Sequence, residues 1–284
     1  MIGENDQAAS LRNESELPLP RIVKLRPRNG RRAHVVAVTS GKGGVGKTQV
    51  SANLAVALAN QGKRVLIMDA DLGLASLDLA FGVTPRHNLL SVLTGQRSVD
   101  EILVAAPAGV HLIPACPGRY DVANLDAAQR SRLWDLVEEV AQDFDVLVID
   151  TGAGIGSNAV GFASYADDVL LVTTPDPTSL RDAYAMAKVL HRRAGVDRVQ
   201  VVANQVHSER EGAEIHARMH SIVRRFLMLD LGYLGAIPID AAVREHVAAG
   251  QPFVLGAPHS NAARAIEILA RRLETLRTTG AHPC

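Results

Sequence analysis

Cysteine is nearly absent: the 284 residues hold two, Cys116 and Cys284. They stand far apart and form no C-x-x-C, so neither a disulfide framework nor a zinc or iron–sulfur site is indicated. An excess of charge is missing too, because 30 basic residues face 30 acidic ones. No global field therefore argues for nucleic acid or anionic lipid as a partner. There is no apolar run long enough to span a bilayer and no stretch that reads as a secretory signal, so a cytosolic protein is expected. No internal repeat is visible. The length allows one large domain or two small ones, with ample material for a core.

What is present is Gly41-Lys42-Gly43-Gly44-Val45-Gly46-Lys47-Thr48, which meets every fixed position of the phosphate-cradling pattern G-x-x-x-x-G-K-[ST]. The apolar run from His34 to Val38 leads in as a buried strand. Gln49 to Asn60 follows with apolar residues at helical spacing, the strand, loop and helix setting the motif requires. Backbone N–H groups at the start of the helix point at a phosphate, and the helix dipole adds to the attraction. Lys47 is expected to reach the β and γ phosphates and the Thr48 hydroxyl to hold Mg²⁺.

Residues 1 to 32 carry Pro18, Pro20 and Pro27 among Arg21, Lys24, Arg26, Arg28, Arg31 and Arg32, and read as a flexible arm. Its basic run suits a solvated linker, with nucleic-acid or membrane contact as the alternative. Inside it lies Asp6-Gln7-Ala8-Ala9-Ser10-Leu11-Arg12, where Asp6 can cap a helical turn and Gln7 and Leu11 share a face. Seven residues cannot hold a helix alone in water, so this island would fold only against a partner.

From His34 onward strands alternate with helices. Strands are expected at Arg64 to Met68, Val110 to Ile113, Val146 to Ile149, Val169 to Thr173, Val199 to Ala203 and Tyr233 to Ile237. Helices are expected at Asn88 to Leu93, Asp126 to Val140, Ser179 to Leu190, Glu211 to Phe226, Ala241 to Ala248 and Asn261 to Leu276. Such alternation implies an α/β fold, a mainly parallel twisted sheet with helices on both faces, and no second domain.

In such a sheet ligands sit beyond the carboxyl ends of the strands. Asp150 closes the run Val146-Leu147-Val148-Ile149, the apolar strand plus acid expected of a carboxylate that supports Mg²⁺ through water; a plain helix cap is the rival reading. Thr151-Gly152-Ala153-Gly154 then reads as a pliable stretch able to sense a γ-phosphate. Of Asp69 and Asp71, the one further into the loop, Asp71, is better placed to orient an attacking water. Asn204 ends a later strand, where its amide suits either an adenine edge or a loop cap. Lys42 is a second lysine that one subunit's phosphate loop does not need, and two ammonium groups repel without a polyphosphate between them. It suggests a lysine offered to the nucleotide of a partner subunit, in the manner of an arginine finger.

GKGGVGKT with Lys42 resembles the deviant Walker A motif of the MinD/ParA class of dimerising ATPases, and the resemblance runs from about residue 33 to 277. Within that class the chain is most similar to the flagellar-number group, FlhG (also called FleN). The carrying residues are DADLGLASLDLAFG (Asp69 to Gly82), VLVIDTGAGIG (Val146 to Gly156), TTPDPTSLRDAY (Thr173 to Tyr184), LGAIPID (Leu234 to Asp240) and the early DQAASLR (Asp6 to Arg12).

The resemblance implies a slow ATPase that uses ATP and Mg²⁺ and closes into a homodimer. Gly41 to Gln49 would cradle the nucleotide, with Asn204 and Pro238 at the base. Asp71 would position water and Thr48 and Asp150 would serve the metal. Lys42, Asp176 and Asp182 would lie at the dimer interface. Asp6, Gln7, Leu11 and Arg12 would engage an FlhF-like GTPase, with a FleQ-like transcription activator and flagellar basal-body proteins as further partners. Chromosome or cargo segregation of the ParA type, division-site placement of the MinD type, and an adaptor whose turnover is incidental are the rival readings. Membrane contact is expected to be weak or absent and DNA is not an expected partner, with transient localisation at the cell pole or membrane left open.

Two departures from the class concern the site. Gln49 replaces a hydroxyl residue, so the α-phosphate contact would come from its backbone N–H, and Ser76 stands where the class often has Asn, a change expected to be minor. A third is that no separate amphipathic helix follows Leu276. The stripe Ile266, Leu269, Leu273 and Leu276 is expected to pack on the core, and 278–284 to form a short tail.

Overall fold

A computed structural model describes residues 32–116 and 125–279. Valine, leucine and isoleucine runs build the strands, since branched side chains suit a pleated surface buried on both faces. β1 (His34–Ser40) feeds the glycine-rich loop and α1 (Lys47–Asn60) starts at Lys47 itself. β2 (Val65–Ala70), the short helices α2 (Leu77–Phe81), α3 (Leu89–Leu93) and α4 (Val99–Ile102), then β3 (Val104–Ala105) and β4 (His111–Ile113) complete the first part. α5 (Ala127–Ala141), β5 (Val146–Ala153), α6 (Ser157–Ala163), β6 (Asp168–Thr173), α7 (Pro177–Ala194), β7 (Val199–Val206), α8 (Glu209–Leu227) and β8 (Leu231–Pro238) alternate. α9 (Ala241–Ala248), α10 (Phe253–Gly256) and α11 (Asn261–Thr279) close the described chain.

The eight strands form one sheet in the order β3-β4-β2-β5-β1-β6-β7-β8. Every neighbouring pair is parallel except β3 with β4, so the expected mainly parallel α/β architecture is what the chain adopts. Side chains alternate between two cores. Val35, Ala37, Leu147 and Ile149 pack on the side covered by α5 to α8. Val36, Val38, Val146 and Val148 pack on the side covered by α1 and α11. The path leaves β1 toward β2 in one direction and β6 toward β7 in the other, which opens a crevice at the carboxyl end of β1.

Side chains cap two of the helix starts: Asn88 accepts from the Leu90 N–H, and Asp126 and Gln129 form a reciprocal capping box. Ile266, Leu269, Leu273 and Leu276 are all buried against α1 and the sheet, as the stripe implied. Burying each such side chain contributes about 1.5–3 kcal/mol. α11 continues through Thr279, so the first two residues of the expected tail are helical. Four short helices, α2, α4, α6 and α10, escape sequence reading because one or two turns carry too few residues for periodicity to show. The arm up to residue 31, with Asp6, Gln7, Leu11 and Arg12, lies outside the described residues. Arg32 binds the body at the start of β1, where its Nη1 donates to Asp167 at 3.0 Å.

Candidate functional site

The glycine-rich loop is held between two later strand–helix units. A Cβ at Gly41 would collide with the backbone of Asp182 and Ala183 in α7, so the loop can approach that helix only without a side chain. Gly46, with φ at 85°, caps α1, and a Cβ there would meet the Asn204 amide. The loop, Ser40, Gln49, Asp71 and Ala153 line a cleft of about 230 Å³.

Lys47 is buried, and its Nζ donates to Asp150 Oδ1 at 3.0 Å. Ser51, one turn along α1, donates to the same oxygen at 2.8 Å. Asp150 is fully buried because the alternation of β5 turns it toward the side that α1 covers. Its other oxygen, Oδ2, has no partner. A buried carboxylate oxygen without a donor is costly, and a cation or a cation-bound water satisfies it. The neighbouring Thr48 hydroxyl adds a second hard oxygen. Among the described residues no cluster of three or more His, Cys, Asp or Glu could hold a metal. The Asp150 carboxylate and the Thr48 hydroxyl are hard oxygen donors that suit Mg²⁺, which keeps several waters and takes one or two protein oxygens beside phosphate.

Of Asp69, inside the end of β2, and Asp71, just beyond it, only Asp71 lines the cleft. Burial pushes its carboxyl up and the Lys47 ammonium opposes that shift. Asp69 is buried and accepts from the N–H groups of Asp71, Ser76 and Leu77 at 3.1, 2.9 and 3.0 Å. Burial first, and then the charge of Asp150, raise its pKa to about 7. It is a clamp for the loop that carries Asp71.

The stretch after Asp150 departs from the expected pliability. β5 runs on to Ala153, Thr151 is buried with its hydroxyl donating to Val38 O at 3.1 Å, and the Gly154 N–H donates to Ser40 O at 2.9 Å. Pairing with β1 on one side and β2 on the other holds this segment, which four residues of sequence do not reveal.

Lys42 lies at the rim of the cleft. Its Nζ donates to Asp176 Oδ2 at 2.6 Å and to Thr178 Oγ1 at 2.7 Å within the same chain. Asp176 also caps α7 by accepting the Thr178 N–H at 2.8 Å. Asp182 instead accepts from Arg181 at 3.1 Å, so of the two acids only Asp176 holds the lysine. The Lys42 ammonium, and next the Thr178 N–H, hold the Asp176 carboxyl down at about 2. A lowered folded-state pKa means that the pair's contribution is present above the ordinary value of 3.8 and is lost as pH falls through about 2. Protons therefore do not release Lys42 at physiological pH. In a carboxyl NMR titration Asp176 is expected near 2 in the wild type and higher in Lys42→Ala, though still below the ordinary value because the Thr178 N–H continues to donate to it; identical midpoints would show that the pair does not form in solution.

On the β7 side of the loop, Asn204 Nδ2 donates to Val45 O at 2.8 Å and its Oδ1 accepts the Gln205 N–H at 2.9 Å. Gln205 reaches that bond with φ at 58°, at a bulge opposite Pro238. Both cap and base reader remain chemically open to Asn204, because the amide keeps one N–H and one lone pair. Sequence reading missed Ser51 and Thr178. Ser51 is visible four residues after Lys47, on the same helical face.

The sheet order, the crevice and this cleft define a P-loop nucleotide-binding protein with a second lysine at its rim. A family model described as the CobQ/CobB/MinD/ParA nucleotide binding domain matches residues 36–253, and the chain belongs to that family. It is 42% identical to the antiactivator FleN of Pseudomonas aeruginosa over 241 residues, 85% of this chain and 86% of that protein. It is 36% identical to the flagellum site-determining protein YlxH of Helicobacter pylori, covering 87% of this chain and 83% of that one. Among solved structures, the septum site-determining protein MinD complexed with Mg-ADP from Pyrococcus horikoshii superposes with a TM-score of 0.72 at 27% identity, over 88% of this chain and all of that one (100%). The resemblance to the MinD/ParA class and its flagellar group, stated from residues alone, is borne out.

Proposed function

We propose that this protein is an ATP-dependent dimerising switch that regulates flagellar number and placement. The observation that carries the switch is the contrast between two lysines. Lys47 is buried and committed to Asp150, whereas Lys42 sits part-exposed on Asp176 and Thr178, an ion pair that water screens and that a polyphosphate can outcompete. Lys47 and the loop N–H groups hold the phosphates, Thr48 and Asp150 hold Mg²⁺, Asp71 orients water, and Lys42 crosses to a partner subunit's nucleotide. Bound Mg²⁺ supplies charge neutralisation at the phosphates. Asn204 and Pro238 contact the base, and Asp176 and Asp182 lie at the subunit interface.

The flagellar assignment is supported by the similarity to FleN and YlxH along most of the chain. The antiactivator relative supports a FleQ-like transcription activator as one partner, with an FlhF-like GTPase and basal-body proteins as others. Those two relatives do not favour segregation or division-site placement. The experiment is a pull-down from a flagellated host with and without non-hydrolysable ATP, together with a flagellar count in cells carrying Asp71→Ala. ATP-dependent capture of flagellar components with altered flagellar number is expected; capture of division or partition proteins with normal flagella would overturn the reading.

The early DQAASLR element and the ATPase body are separable under this proposal. Under it Gln7 and Leu11 make the contact with the partner, with Arg12 beside them. Gln7→Ala or Leu11→Ala is expected to abolish stimulation of the FlhF-like GTPase while ATP binding and dimerisation stay unchanged. A peptide of residues 1 to 20 should stimulate that GTPase by itself, more weakly than the whole protein. GTP turnover by the purified partner is the measurement, and an inert peptide with two fully active variants would remove the element's role.

A further inference from the structure

Ser76 precedes α2 at the position where a serine ordinarily turns its hydroxyl onto the first-turn N–H groups. Here it does not: its side chain makes no cap bond, and the Leu79 N–H is met by Asp78 instead. Asp69 has taken over that work from β2, accepting the N–H groups of both Ser76 and Leu77. The freed hydroxyl stands 3.2 Å from the Thr48 hydroxyl, across 28 residues of sequence.

A hydroxyl has one proton and two lone pairs. When a lone pair faces a cation, the O–H is polarised and needs an acceptor on the far side. Asp150 Oδ1 already accepts from Lys47 and Ser51, and its Oδ2 is the oxygen left for the cation or a cation-bound water. We propose that Ser76 is a positioning residue for the metal site: its Oγ accepts the Thr48 O–H and so turns the Thr48 lone pairs toward Mg²⁺. This rests on the reading that Thr48 holds the metal. It assigns a definite role to a position whose change from Asn was expected to be minor, and it makes Asp69 the buried anchor that sets Asp71 and Ser76 together.

The test is a Mg²⁺ titration of the full-length protein at fixed fluorescent ATP analogue, repeated with Mn²⁺ by electron paramagnetic resonance. Ser76→Ala is expected to raise the metal concentration at half-saturation by about tenfold to a hundredfold, the usual effect of losing a group that orients a metal ligand. Ser76→Thr, which keeps the hydroxyl, should match the wild type. Nucleotide binding in EDTA and the melting temperature should be the same in all three. A wild-type metal response in Ser76→Ala, an equal loss in Ser76→Thr, or an equal loss of binding in EDTA would each overturn the proposal. Thr48→Val separates the two layers. If it weakens metal-dependent binding and Ser76→Ala does not, only the Ser76 role fails; if it has no effect, the metal site itself is misassigned.

Discussion

Lys47→Ala protein is expected to show no measurable ATP binding by titration calorimetry, a loss of more than about a hundredfold. Among the described residues the Lys47 ammonium is the buried cation that lines the cleft, and charge-assisted hydrogen bonds from such a group contribute about 1.5–3 kcal/mol each. Removing it also leaves Asp150 with Ser51 as its remaining donor in a fully buried place. Breaking one side of a buried ion pair costs about 3–5 kcal/mol, so the variant should melt well below the wild type. Lys47→Arg separates the two effects. It keeps a positive charge against Asp150 and most of the stability, but a planar guanidinium does not reproduce a compact ammonium in the loop, and binding should still fall. Full affinity in either variant would show that the phosphates bind elsewhere.

Lys42→Ala is expected to lower ATP turnover about a thousandfold, in the range of a lost arginine finger, while first-encounter ATP binding changes by no more than about threefold. The asymmetry follows from position. In the free chain the Lys42 ammonium bonds Asp176 and Thr178 rather than sharing the buried place of Lys47, so the first nucleotide meets a complete phosphate site without it. Light scattering of Asp71→Ala protein at saturating ATP is the companion measurement, since blocked hydrolysis should hold the dimer together. A strictly monomeric mass would refute delivery across an interface, and an equal drop in binding and turnover for Lys42→Ala would place the lysine on its own subunit's nucleotide.

The two lysines also show where reading from sequence succeeds. A phosphate loop is a local object: eight consecutive residues between a strand and a helix contain the whole cradle, so Lys47 and Thr48 are legible from spacing alone. Asp150 stands out for a similar reason, because an acid closing a run of apolar strand residues marks itself as a site candidate, and the structure brings it to Lys47. Thr151 to Gly154 misled because strand pairing there depends on β1 and β2, which lie far away along the chain. The contact of Ser76 with Thr48 was not legible, because its hydroxyl is free only if something else caps α2, and Asp69 lies seven residues earlier on another element.

The sequence by itself determined the alternation of strands and helices, the phosphate loop, the acids at the strand ends and the second lysine, since each is written in local periodicity or in a short run. Only the tertiary structure decided which oxygen of Asp150 is left open, that Asp69 clamps rather than faces the cleft, that Lys42 rests on Asp176 rather than Asp182, and that Ser76 touches Thr48. Those outcomes depend on which strands become neighbours and on how buried donors and acceptors are shared among them. Hydrogen bonds are allotted in space, where residues far apart along the chain compete for the same atom.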